Sequence, residues 1–187
     1  MTVLGRNPVV ELMRSDLYSA TKLYLQTEIN PDEKIDEIVK SAQAQGILIE
    51  EVGRKELEKL SDGEPHQGVI AITDIEPKSF SEKSLDTNYG SFIYIREAQY
   101  EHNVGAIIRT AEAAGLAGVI LPPKQEITPV VIRISMGAIF HIPIYSGSLF
   151  PTIKICSKNG LDITAIERNE NATLYICNLS NKHLLIH

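Results

Sequence analysis

Apolar positions recur along this chain with two periods. Between Pro31 and Gln45, Ile35, Ile38, Val39 and Ala42 fall on one stripe at helical spacing, and Gly46 follows as a stop. The stretch predicts an acidic amphipathic helix. Arg54 to Leu60 and Leu149 to Lys158 predict two more helices. From Asn103 to about Ala114, Val104, Ile107, Ile108, Ala111 and Ala114 form another stripe. Asn7 and Pro8 read as the cap and first position of a short helix through Met13. Short apolar runs bounded by turn residues predict strands at 22–26, 47–49, 68–73, 92–95, 119–121, 142–145, 163–166 and 183–187. Thr128-Pro129 opens a segment to Ser135 whose β-branched residues leave helix and strand both open.

Strands that alternate with helices imply an α/β fold with a mostly parallel sheet, open at the carboxyl ends of its strands. Residues 1–78 and 91–187 read as separate α/β units, the first a layered sandwich of helices and sheet and the second the one with the mostly parallel sheet. Between them, 79–90 is polar and ends on Gly90, which suits a linker.

Composition narrows the class. With 187 residues, 43% hydrophobic and 22% charged, the chain is a folded protein of one or two small domains. Two cysteines, Cys156 and Cys177, make no disulfide framework and suit reduced core thiols. The first residues lack the features of a signal peptide, and no apolar run approaches 18 residues, so the expectation is a cytoplasmic chain without a membrane partner. The histidines show no metal-ligand spacing, and no metal is expected. Net charge is −6, carried by residues 1–78 with 9 Lys and Arg against 15 Asp and Glu. Any nucleic acid must therefore be held by a local patch, because a whole-domain basic footprint is missing.

The most informative stretch is Asn103-Val-Gly-Ala-Ile-Ile-Arg109-Thr-Ala. Asn103 is placed at the helix cap and Gly105 in its first turn. Helical side chains lean toward the amino terminus, so Arg109 is expected to fold back over the bare Gly105 and meet an anion at the helix's positive end. A solvated arginine paired with Glu112 is the plainer alternative. Ser135-Met136-Gly137-Ala138 suggests close backbone approach to a ligand or another segment, or only a tight turn over Phe140. His66-Gln67-Gly68 precedes a strand and suits a surface loop or a structural turn. Glycine-rich dinucleotide, P-loop and G-x-S-x-G signatures are absent.

Together these stretches resemble the SpoU (TrmH-type) RNA 2′-O-ribose methyltransferases of the SPOUT superfamily. Residues 96–111 are similar to the family's first motif, N-x-G-A-I-x-R-T-A. Ser135-Met-Gly-Ala with Pro143 is similar to the second. Gly5 to Leu12 and His66 to Val69 look like the two ends of the ribosomal-protein-like RNA-binding domain that often precedes the catalytic one. The resemblance implies S-adenosylmethionine as donor, with contacts at Met136 and Gly137, and rRNA or tRNA as substrate. It implies catalysis by Arg109 with Asn103 as companion, and RNA contacts at Arg6, Asn7, His66, Gln67 and Arg109. A homodimer is also implied. Because arginine is not readily deprotonated, Arg109 is expected to clamp phosphate and ribose rather than act as a general base. The family's third motif, G-x-E-x-x-G followed by S-L-N-V-S, would come after His183–His187. Without it the expectation is a SPOUT-type domain lacking its C-terminal knot, with an incomplete dimer interface, open sheet edges and an uncovered strand face. An RNA-binding remnant without activity is the alternative function.

Overall fold

Alternate residues of each strand pack on opposite sides, and that alternation builds the molecule in layers. A computed structural model describes residues 1–87, 90–96, 100–166 and 181–187. The first half forms β1 (Thr2–Leu4), α1 (Arg6–Met13), β2 (Ala20–Gln26), α2 (Glu33–Ala44), β3 (Leu48–Val52), α3 (Arg54–Leu60) and β4 (Val69–Thr73). Then follow β5 (Lys78–Ser79), α4 (Glu82–Thr87), β6 (Phe92–Tyr94), α5 (Glu101–Ala113), β7 (Gly118–Leu121) and α6 (Pro129–Ile134). A 3-10 turn at Ala138–Phe140 leads to β8 (Ile144–Ser146), α7 (Leu149–Lys158), β9 (Asp162–Ala165) and β10 (His183–Ile186).

The first sheet has the order β1-β4-β2-β3, with β4 antiparallel to β1 and β2, and β2 parallel to β3. Val3, Leu23, Leu25, Val69 and Ala71 point inward, whereas Leu4, Tyr24 and Ile70 point outward beneath Leu57 of α3. The second sheet, β5-β8-β7-β6-β10-β9, is parallel throughout. Ile93, Ile95, Val119, Leu121 and Ile144 face the same core as the first sheet's inner face. Phe92, Tyr94, Ile120, Tyr145 and Leu184 face a second core with Phe80 and Cys156. Helices α1, α2, α5 and α6 fill the middle layer through residues such as Leu12, Ile38, Ile108 and Val131. One hydrophobic core therefore spans both sheets.

Several expectations are revised. Helix α1 starts at Arg6 and its cap is Gly5 (φ 92°), not Asn7; the cap makes no side-chain hydrogen bond. The Arg6 N–H is instead taken by the Gln67 side-chain oxygen at 3.0 Å, a partner 61 residues away. The expected linker holds α4 and begins on the last residue of β5, the strand that extends the parallel sheet against β8. The ambiguous segment after Thr128 is helical. Thr128 Oγ1 accepts from the Val131 N–H at 3.3 Å and Pro129 occupies the first turn, so capping overrides β-branching. The strand expected at His183–His187 forms over His183–Ile186 and lies between β6 and β9, pairing with both. Cys156 is buried and free, and burial pushes its thiol up to about 11. Cys177 lies outside the described residues.

Candidate functional site

Helix α5 leaves the carboxyl end of β6, which lies between β7 and β10 in the interior of the parallel sheet. In open α/β sheets this end of the strands is where ligands are held. Its cap is Tyr100 and its first residue Glu101, so Asn103 is the third helical residue rather than the cap. The Asn103 side chain is exposed. Val104, Ile108 and Ala111 carry the buried stripe; Ile107 is half-buried and Ala114 exposed.

Gly105 has a different purpose from the one expected. A Cβ built there would stand 2.7 Å from Ile134 Cβ and 2.9 Å from the Val131 carbonyl oxygen. The bare α-carbon is thus filled by α6, and the glycine permits the two helices to touch. It leaves no bay for Arg109, and it sits beyond the first turn. Arg109 itself is exposed and makes no ion pair or hydrogen bond with any described residue, Glu112 included. Asn103 and Arg109 are about 9 Å apart along the axis and about 120° apart around it. They flank one solvent-facing stretch of helix without touching through a shared face.

The four RNA-contact residues expected in the first half do converge. Arg6, Asn7, His66 and Gln67 line a groove of about 770 Å³ with Lys34, Arg54 and Glu64 among its other walls. Arg6 Nε donates to the Gln67 carbonyl oxygen at 3.2 Å and its terminal nitrogen pairs with Asp32. Lys34 donates to the Asn7 side-chain oxygen. His66 Nδ1 accepts from the Gly68 N–H at 3.0 Å. The turn around them is backbone-strained: Asp62 and Gln67, neither a glycine, both sit at φ 52°. Asp32 caps α2, and the Ile35 N–H hydrogen bond, aided by Arg6, holds its carboxyl below the usual range.

Met136 and Gly137 face elsewhere. Met136 is exposed at φ 55°, bordering a cleft with Val10 and Glu11 of α1, Arg14 just after it, and Glu37 of α2. A Cβ on Gly137 (φ 91°) would lie 2.5 Å from Glu11 Cβ and Cγ. The glycine is therefore required by the α1 junction. Beside it, Glu11 Oε2 meets His141 Nε2 at 2.8 Å, and Ser15 Oγ donates to the Phe140 carbonyl oxygen at 2.6 Å. Sequence reasoning missed the ion pair between Arg133 of α6 and Glu64 of the groove. The groove's other charges, Arg54 with Glu58 at 2.9 Å and Lys34, were also missed. The i,i+4 spacing of Arg54 and Glu58 was readable, but the partnership across 69 residues left no local mark.

A layered α/β molecule with a parallel sheet, a helix carrying an exposed arginine past its midpoint, and a polar groove on a second small sheet has a SPOUT-type fold. Solved structures bear this out at the level of fold. An AdoMet-bound rRNA methyltransferase from Sinorhizobium meliloti superposes with a TM-score of 0.76 over 99% of this chain and 68% of that one, at 20% identity. The SpoU methyltransferase AviRb from Streptomyces viridochromogenes, in complex with AdoMet, gives 0.75 over 100% of this chain and 71% of that one, at 16% identity. Residues 2–78 match the family described as RNA 2′-O ribose methyltransferase substrate binding, and 90–186 match the SpoU rRNA methylase family. A protein of Staphylococcus epidermidis named for the TrmH family of tRNA/rRNA methyltransferases is 32% identical over 94% of this chain and 72% of its own length. One of Bacillus subtilis, similarly named, is 34% identical over 76% of this chain and 59% of its own length. The chain belongs to the SpoU rRNA methylase family, a family of RNA methyltransferases.

Proposed function

We propose that this chain takes part in transferring a methyl group from S-adenosylmethionine to a ribose 2′-hydroxyl of structured rRNA or tRNA. The observation that carries the reading is Arg109, an exposed guanidinium without a described partner, on the helix that leaves the carboxyl end of an interior parallel strand. A surface arginine left unpaired on such a helix is suited to an anion. Its planar fork takes a phosphate bidentately and fixes the adjoining ribose. The same charge stabilises the alkoxide that develops as the hydroxyl loses its proton. The proton passes to a phosphate oxygen or to water, because a guanidinium stays protonated. Asn103 offers an amide to the same strand of RNA from the opposite flank. The groove around Arg6, Asn7, His66 and Gln67 binds the RNA farther from the reacting sugar.

S-adenosylmethionine supplies the methyl group. Glu11 fills the space over the Gly137 α-carbon, while Met136 is exposed at a neighbouring cleft, so donor contacts at these two residues belong to the same proposal through Met136 and the backbone. A homodimer and a cytoplasmic site of action belong to the same proposal.

The test is chemical. RNA labelled by this chain with methyl-labelled donor is hydrolysed in alkali. A 2′-O-methyl group blocks cleavage at its own nucleotide, so label is expected in alkali-stable dinucleotides. Label recovered only in mononucleotides would place the methyl on a base and refute the ribose assignment.

A further inference from the structure

The two arginines that line the groove, and a third that reaches a carboxylate of its wall from α6, are each engaged by a carboxylate. Arg6 pairs with Asp32, Arg54 with Glu58, and Arg133 reaches from α6 to Glu64 at the rim. A groove meant for a polyanion is thus neutralised by its own acids. These pairs are open to solvent: Arg133 and Glu64 side chains are 38% and 46% exposed. Exposed ion pairs contribute little net stability, so exchanging the partner costs little. An arginine fork on a phosphate is at least as well matched as on a carboxylate.

Arg133 is the one that comes from outside the small sheet. The neighbouring residue, Ile134, fills the space over Gly105 of α5. A phosphate held at Arg133 is therefore held at a fixed offset from the helix that carries Arg109. Glu64 lies in the turn that holds two non-glycine residues, Asp62 and Gln67, at φ 52°. Strain of this kind is maintained where the surroundings over-determine it, often at binding sites.

We propose that Arg133 is an RNA phosphate contact that Glu64 occupies in the free protein, and that docking RNA displaces the carboxylate and registers the strand against α5. The inference rests on the reading that this groove takes RNA. An ordinary structural strut makes the opposite forecast, because breaking a strut from either end has the same effect.

Glu64→Gln and Arg133→Gln separate the two. Binding is measured for unfractionated tRNA and for protein-free rRNA at low and moderate salt, with thermal melts to verify folding. The displacement account expects E64Q to bind several-fold more tightly. It expects R133Q to bind about tenfold more weakly, with a log–log salt slope smaller by about one. Arg133→Lys, which keeps charge and loses the fork, should fall between wild type and R133Q. Equal weakening by E64Q and R133Q overturns this inference while leaving in place the reading that the groove takes RNA. Failure of the wild-type chain to bind either RNA overturns both it and the proposed function.

Discussion

Gly105 and Arg109 lie one helical turn apart, and the sequence spoke to them unequally. Arg109's exposure was readable because it falls off the apolar stripe. The reason for Gly105 was not, because the atoms that require it, Ile134 Cβ and the Val131 carbonyl, belong to another helix. The consequence is measurable. Gly105→Ala places a methyl group 2.7 Å from Ile134 Cβ, so α5 and α6 must separate or rearrange. Overpacking of this kind costs about 1–3 kcal/mol. The expected outcome is a lower melting temperature, and an unchanged one would mean the helices part without cost. Gly137 was singled out correctly as a place of close approach, but its neighbour is Glu11 across the junction with α1. Contacts such as Glu11–His141, separated by 130 residues, are outside the reach of local pattern.

Elements were legible where periodicity and punctuation agreed. Arg54–Leu60 and Leu149–Lys158 form over the residues expected, and the acidic helix is displaced inward by one or two residues at each end. Boundaries failed where a distant group overrode the local signal. Asn7 is a good cap by chemistry, yet Gln67 supplies the hydrogen bond that lets α1 begin at Arg6. Asn103 lost its cap position because α5 begins three residues nearer β6 than a cap at Asn103 allows, with Tyr100 as its cap. Helix α6 was ambiguous by composition and is decided by its cap. Thr128→Ala removes that acceptor and should destabilise the protein by about 1 kcal/mol in urea unfolding. A loss near zero would show that burial of Val131 and Ile132 holds α6 without its cap.

At the scale of the molecule, the two halves share a core that runs from Leu23 and Ile38 to Ile108, Leu121 and Phe140. The sequence suggested two units because their patterns are separate; it could not show that their apolar faces meet. A shared core predicts cooperative loss of both sheets. Calorimetry should record one unfolding transition, and two resolved transitions would contradict it. Alkaline conditions probe the same interior. Burial pushes the Cys156 thiol from its usual 9.0 to about 11 and raises Tyr18 as well. The folded state then keeps protons that the unfolded chain has released, so stability falls as pH rises from about 9 to about 11. Urea midpoints should decline over that window, and less steeply in Cys156→Ala. A flat profile would mean the thiol titrates as though in water.

The reaction depends on the fork of one guanidinium, and Arg109→Lys addresses it with the charge retained. Methyl incorporation into RNA is compared for wild type and R109K at saturating RNA and donor, after melting curves and RNA affinity have been matched. The clamp predicts that incorporation by R109K falls at least about a hundredfold, the scale of losing a positioned charge-stabilising donor. Incorporation by R109K close to the wild-type rate would mean that ribose activation lies elsewhere, and α5 would lose its place in the chemistry.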